Sequence, residues 1–172
     1  YPYQILNTPI SEAAIVGLTT GYSIKSGRTI VEIMFGDFTT LIFDQILQNI
    51  SKFEYMFAGK IKAPVIIRTP MGGKRGYGPT HSQSIEKHFL GIPNFAVVVL
   101  NHRISPNTIY ESICKVDGMP FMIVENKILY TIKADTKRLE GYKYSFSDNL
   151  FPSVLIEPVF EDPTFTIICY GE

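Results

Sequence analysis

Two features of the 172-residue sequence predict an α/β domain arranged as a three-layer sandwich, a parallel sheet with helices on both faces. Strand-like and helix-like segments alternate from residue 11 to residue 130. APVIIRTP (63–70) and NFAVVVLN (94–101) are near-continuous apolar runs, the pattern of a strand covered on both faces, and PFMIVENKIL (120–129) is another apolar strand. Such alternation implies right-handed crossovers between parallel strands, with ligands at the carboxyl ends of those strands.

The elements follow in order. SEAAIVGLTTGYSIKS (11–26) suits a helix capped by Ser11 or Thr8, with Glu12 in its first turn, and RTIVEIM (28–34) reads as a strand. TTLIFDQILQNISKFEYMFAG (39–59) places Leu41, Ile42, Ile46, Leu47 and Ile50 at helical spacing and stops at Gly59, which predicts one long helix. After the strand at 63–70 comes a glycine-rich loop, RTPMGGKRGYGPTHSQS (68–84), and then a helix in SIEKHFL (84–90). Ser105-Pro106 opens a helix through NTIYESICKV, and Gly118 precedes the strand at 120–129. Beyond Tyr130 the pattern loosens into a connector with scattered prolines and charges (133–163), followed by the strand-like FTIICYG (165–171).

Sixteen basic residues balance sixteen acidic ones, so no electrostatic footprint points to nucleic acid or an anionic membrane. No apolar run is long enough to span a bilayer, and the N-terminal YPYQILN lacks the pattern of a signal peptide. Cys114 and Cys169 lie in apolar stretches where a thiol serves as a small core residue, which suits a reducing compartment. The expectation is a cytoplasmic protein.

Most familiar reactive motifs are missing. In the glycine-rich loop Gly73-Lys74 is followed by Arg75, which breaks the phosphate-binding pattern. His81 and His88 stand seven residues apart with no cysteine or third histidine nearby, a poor basis for metal binding. There is neither a Gly-x-Ser-x-Gly elbow nor a His-Glu-x-x-His pair. What remains is Glu12, the only charge between the N-terminus and Lys25, and the aromatics Phe35 and Phe38 in IMFGDFTTLIFDQ. Taken singly, Glu12 suits a helix-dipole partner and the phenylalanines suit a core.

Their order and spacing resemble a family, the thiamine-diphosphate enzymes, and within it the beta subunit of the decarboxylating component of 2-oxo acid dehydrogenases. The resemblance runs through NTPISEAAIVG, IVEIMFGDFTTLIFDQI, THSQS, HFLGIPNFAVVV and DGMPFMIVENKILY, roughly residues 5 to 130. It implies the pyrimidine-binding fold over residues 1–135, with residues 136–172 as connector and first strand of a truncated second domain. It also implies that Glu12 bonds a ring nitrogen of the cofactor's aminopyrimidine, with Ile10, Phe35 and Phe38 around that ring and His81 near the substrate. Glu12 and His81 are thus the implied catalytic pair.

The resemblance implies further that this chain holds only half a cofactor site. The other half, magnesium and the diphosphate, belongs to a partner alpha subunit. Pairing of two beta subunits, a heterotetramer, and a lipoyl-bearing acyltransferase as acyl acceptor are also implied. The rival readings are a non-catalytic domain of the same fold and a subunit of a transketolase-like sugar-transferring enzyme.

Overall fold

The computed structural model describes residues 2–132 and 139–171. Four strands, β1 (Thr29–Glu32), β2 (Val65–Met71), β3 (Ala96–Val99) and β4 (Phe121–Asn126), form one all-parallel sheet in the order β1-β2-β4-β3. The two central strands are buried almost throughout, which is why their sequences are unbroken apolar runs. β3 lies at an edge and is only half-buried.

Alternate residues of each strand face opposite layers. Val65, Ile67 and Met71 of β2 join Val31, Ile33, Met122 and Val124 in one core, to which α1 (Glu12–Ser26) adds Val16 and the helical run after β1 adds Ile42, Ile46 and Ile50. Ile66, Phe121 and Ile123 face the other way and pack on Ile109 and Ile113 of α3 (Pro106–Lys115). Helices therefore cover both faces, and the three-layer expectation holds.

Local signals set the helix ends. Glu12 in the first turn of α1 and Lys25 in its last both complement the helix dipole. The helix stops at Gly27, whose φ of 87° lies in the left-handed region and whose N–H donates to the Ser23 carbonyl at 2.9 Å. Ser11 occupies the cap position but makes no side-chain cap bond. α3 opens with Ser105 and then Pro106, as its sequence predicts.

Several expectations need correction. The long helix over 39–59 is three successive pieces, a 3-10 helix (Gly36–Ile42), a π-helical stretch (Gln45–Ile50) and a short α2 (Phe53–Met56). Its start is tightened because Thr39 Oγ1 donates to the Gly36 carbonyl at 2.6 Å, favouring three-residue winding. SIEKHFL yields only a 3-10 turn, Glu86–Phe89. The strand over 120–129 ends at Asn126, because Asn126 Oδ1 accepts the Ile128 N–H at 3.0 Å and turns the chain into a 3-10 segment, Lys127–Thr131.

The connector is more ordered than its composition suggests, since β5 (Tyr142–Phe146) and β6 (Val154–Pro158) form an antiparallel hairpin. FTIICYG forms no strand: Phe165, Ile167 and Ile168 are exposed, and strand propensity without a pairing edge does not suffice. Cys114 and Cys169 are both exposed rather than core residues. The boundary expected between residues 135 and 136 lies outside the described residues.

One charged network sits on the α3 face of the sheet. Arg68 of β2 donates to Glu125 of β4 through Nη2 at 2.6 Å and Nε at 3.1 Å, and to Glu32 of β1 through Nη1 at 2.9 Å. The hydroxyls of Tyr110, at 3.3 Å, and Tyr130 also donate to Glu125. Three neighbouring strands are thereby tied by side chains as well as by their ladders.

Candidate functional site

In a parallel sheet the carboxyl ends of the strands gather the loops that follow them. β1 leads into Phe35, Asp37 and Phe38, β2 into the loop 72–83, and β4 directly into Lys127. Because β1, β2 and β4 are neighbours, these three segments meet at one end of the sheet.

The meeting point is a cluster of rings. Phe35 and Phe38 stand edge to face with centroids 5.8 Å apart, and the His81 imidazole makes the same kind of contact with both, at 4.9 Å and 5.2 Å. Tyr77 approaches Phe35 at 5.5 Å. All these separations lie in the favourable range for aromatic pairs. His81, Phe35 and Phe38 are half-buried, so part of each ring remains accessible. Thr80 Oγ1 engages His81 Nδ1 at 2.9 Å, which leaves Nε2 as the ring nitrogen open to a ligand.

The loop carrying His81 is tied down at several points. The Gly72 N–H donates to the Gln83 carbonyl at 3.2 Å, closing the neck. Gly72 has a φ of 94°, and an added Cβ would meet Asn126 Oδ1 at 3.2 Å, so the close approach of β2 and β4 here requires glycine. Gln83 Nε2 donates to Oδ1 of the buried Asp37 at 2.7 Å. Lys127, only 4% exposed, donates from Nζ to the His81 carbonyl at 2.5 Å and lies 4.5 Å from the Phe35 centroid and 5.5 Å from that of Tyr77. Burial pushes the Lys127 ammonium below its ordinary value, with the charge of Asp37 opposing the shift and that of Arg75 adding to it.

Of the residues singled out in the sequence, Phe35, Phe38 and His81 are brought into direct contact. Among the described residues no contact joins Glu12 to the rings. It begins α1, is half-buried, and has no hydrogen-bond or ion-pair partner among the described residues. The helix it begins packs against both β1 and the segment Gly36–Ile42 that carries Phe38. Ile10 is 84% exposed just before that helix. Tyr77, Asp37, Gln83 and Lys127 were not expected; a lysine placed directly after a buried strand, in VENKIL, was the one available signal for Lys127.

Chemically, this end of the sheet offers aromatic surface for a flat ring and, on the adjoining helix, a carboxylate free to bond a ring nitrogen. Among the described residues, no group of three or more histidine, cysteine, aspartate or glutamate side chains could hold a metal ion.

Comparison with known proteins identifies a family. The family described as transketolase, pyrimidine binding domain, matches residues 1–133. The chain is similar to the acetoin:2,6-dichlorophenolindophenol oxidoreductase subunit beta of Cupriavidus necator, 36% identical over 137 residues that make up 77% of this chain and 39% of that protein. It is similar also to the protein of the same name in Bacillus subtilis, 33% identical over 132 residues, 77% of this chain and 38% of that one. The pyruvate dehydrogenase E1 component subunit beta-2, mitochondrial, of Oryza sativa subsp. japonica is 31% identical over 129 residues, 75% of this chain and 34% of that protein. The chain thus spans well under half the length of these curated relatives.

Proposed function

The chain belongs to the transketolase pyrimidine-binding-domain family, and from that premise we propose that it forms the pyrimidine half of a thiamine-diphosphate site in the beta subunit of a 2-oxo acid dehydrogenase. The observation that carries this reading is the meeting of Phe35, Phe38 and His81 at the carboxyl ends of neighbouring parallel strands, beside the helix that presents an unpartnered Glu12.

These residues fit the proposed group. The accessible parts of Phe35 and Phe38 suit the faces of an aminopyrimidine, and Ile10 adds apolar cover at its rim. Glu12 suits a ring nitrogen, because its half-buried carboxylate has no hydrogen-bond or ion-pair partner among the described residues. Glu12 would hold the aminopyrimidine through that nitrogen and keep a proton there. The bound cofactor supplies a nucleophilic thiazolium carbon and a sink for the electron pair left behind when carbon dioxide departs.

His81 serves the substrate side. With Nδ1 engaged by Thr80, Nε2 faces the substrate oxygen, where it holds a proton and orients the acyl group for transfer to lipoamide.

The diphosphate and its magnesium are assigned to a partner alpha subunit, in an assembly of two alpha and two beta chains served by a lipoyl-bearing acyltransferase. No helix among the described residues is long and apolar enough to cross a membrane, and the expected compartment is the cytoplasm. A second reading has support of its own, since two of the relatives described above are named for acetoin. An α-hydroxyketone can be cleaved by the same cofactor chemistry.

The test uses the full-length protein assembled with its alpha partner and assayed on a panel of 2-oxo acids and on acetoin. Replacing Glu12 with Gln should lower turnover on the order of 10²–10⁴-fold, the usual worth of a positioned acid–base group, and leave the melting temperature nearly unchanged. A helix-dipole role alone would cost about 0.3–1 kcal/mol of stability and spare turnover. That second pattern, or a wild-type assembly inert on the whole panel, would refute the proposal.

A further inference from the structure

A lysine as buried as Lys127 ordinarily faces a carboxylate, because an unpaired ammonium is costly to remove from water. Lys127 forms no ion pair among the described residues. Its Nζ is instead satisfied by the His81 carbonyl at 2.5 Å and by the rings of Phe35 and Tyr77. The charge of Asp37 acts on this ammonium without an ion pair, and its direct contacts all belong to the ring cluster.

We propose that Lys127 is the positioning residue of this site: its ammonium grips the His81 backbone and the Phe35 and Tyr77 rings, and so fixes the imidazole against Phe35 and Phe38. The inference rests on the functional reading above for its meaning, but its geometry is independent of that reading. Three observations support it.

Lys127 has a rigid seat. It directly follows Asn126, which ends β4 opposite Met71, the residue at which the loop leaves β2. Asn126 Oδ1 fixes the turn by accepting the Ile128 N–H at 3.0 Å.

Two contacts at residue 127, one from the ammonium and one from the backbone carbonyl, reach both halves of the loop. Nζ holds its later part through His81, whereas the Lys127 carbonyl accepts from Arg75 Nη1 at 2.8 Å and holds its earlier part. The neck contacts of Gly72 and Gln83 close the loop but do not reach the imidazole.

Finally, Phe35 is shared. His81 meets its ring edge to face at 4.9 Å and the ammonium lies 4.5 Å from the same centroid, so withdrawing the charge frees both the ring and the imidazole that leans on it.

The experiment follows the His81 imidazole by NMR in the full 172-residue chain and in three variants. Lys127→Met keeps the length and apolar packing of the side chain, Lys127→Gln keeps a donor without charge, and Lys127→Arg keeps both charge and donor. In Lys127→Met the ring-current-shifted His81 signals should move to the values of an exposed histidine. Amides of residues 77–83 should exchange at least about tenfold faster, the expected result of losing one charge-assisted hydrogen bond and a cation–π contact, while those of β2 and β4 keep their protection. Lys127→Arg should restore the signals. Unchanged His81 signals in a folded Lys127→Met would overturn the proposal, as would protection lost equally across the sheet. Should that variant not fold, Lys127→Gln decides in the same way, with an unmoved imidazole overturning the proposal.

In the assembled enzyme, Lys127→Met should lower kcat by a larger factor than it lowers calorimetric affinity for thiamine diphosphate, because it releases the imidazole as well as loosening Phe35. An equal fall in both would mean that Lys127 supports cofactor binding rather than His81. A wild-type assembly without turnover would sink the functional reading and leave the NMR result standing.

Discussion

Glu125 shows what a single side chain does in this sheet. Burial alone would raise its pKa, but the hydrogen bonds from Arg68 and Tyr130, the Arg68 charge and the Tyr110 hydroxyl together hold it below the ordinary carboxylate value. The same environment pushes the Tyr110 phenol up to about 12, chiefly through burial and then through the negative charge of Glu125. Because the folded chain lowers the pKa of Glu125, the resulting stability is fully present above the unfolded value of about 4.5 and is lost as pH falls below it. Urea denaturation between about pH 6 and about pH 3 should therefore show a steep acid loss in the wild type and a shallower one in Glu125→Gln. Identical slopes would show that Glu125 is not the group responsible. Arg68→Met should cost about 3 kcal/mol, the low end for orphaning a buried charge, since Arg68 remains 34% exposed. The ring members Phe35, Phe38 and His81 were legible in the sequence because their motifs are local. Asp37 and Lys127 were not, because their roles depend on partners brought close only by the adjacency of β1, β2 and β4.

At the scale of elements, the contact between the 3-10 helix and the end of β2 decides how the chain leaves β1. A Cβ built on Gly36 would lie 2.1 Å from Met71 Cγ, so this helix begins where no side chain fits. Gly36→Ala should cost about 1–3 kcal/mol by overpacking, and a double-mutant cycle with Met71→Ala should show coupling, the pair costing less than the sum of the singles. Strict additivity would remove Met71 from the account. Pattern reading failed in the same stretch for a different reason. The spacing of Ile42, Ile46 and Ile50 announces a helix and all three are buried, but it cannot report that winding changes from 3-10 to π between them. Apolar continuity identified β2 and β4 because both faces are covered, and α3 was marked by its own proline. The hairpin of β5 and β6 was hidden by the prolines and charges around it, although Tyr142, Tyr144 and Phe146 alternate with Lys143 and Ser145 and pair with Pro158, Ile156 and Val154.

For the whole molecule, stability should be unevenly shared. Strands β2 and β4 hold both cores together, whereas the hairpin is two strands wide, with Tyr142, Phe146 and Leu155 exposed. Two-stranded pairs are marginal without support, so amides of residues 142–158 should exchange about a hundredfold faster or more than those of β2 and β4. Equal protection would mean that the chain opens as one unit. The strand order has a further consequence, for the timing of folding during synthesis. Among the described residues β1 pairs with β2 alone, and β2 has β4 at its other edge, while Arg68 and Glu125 are separated by 57 positions. Loops of that length make such pairing slow, and residues that complete the sheet are made late. Until residue 126 has cleared the ribosome, the apolar strand β2 has a bare edge. The nascent chain therefore carries its greatest aggregation risk in that interval, and shielding by a chaperone matters most then.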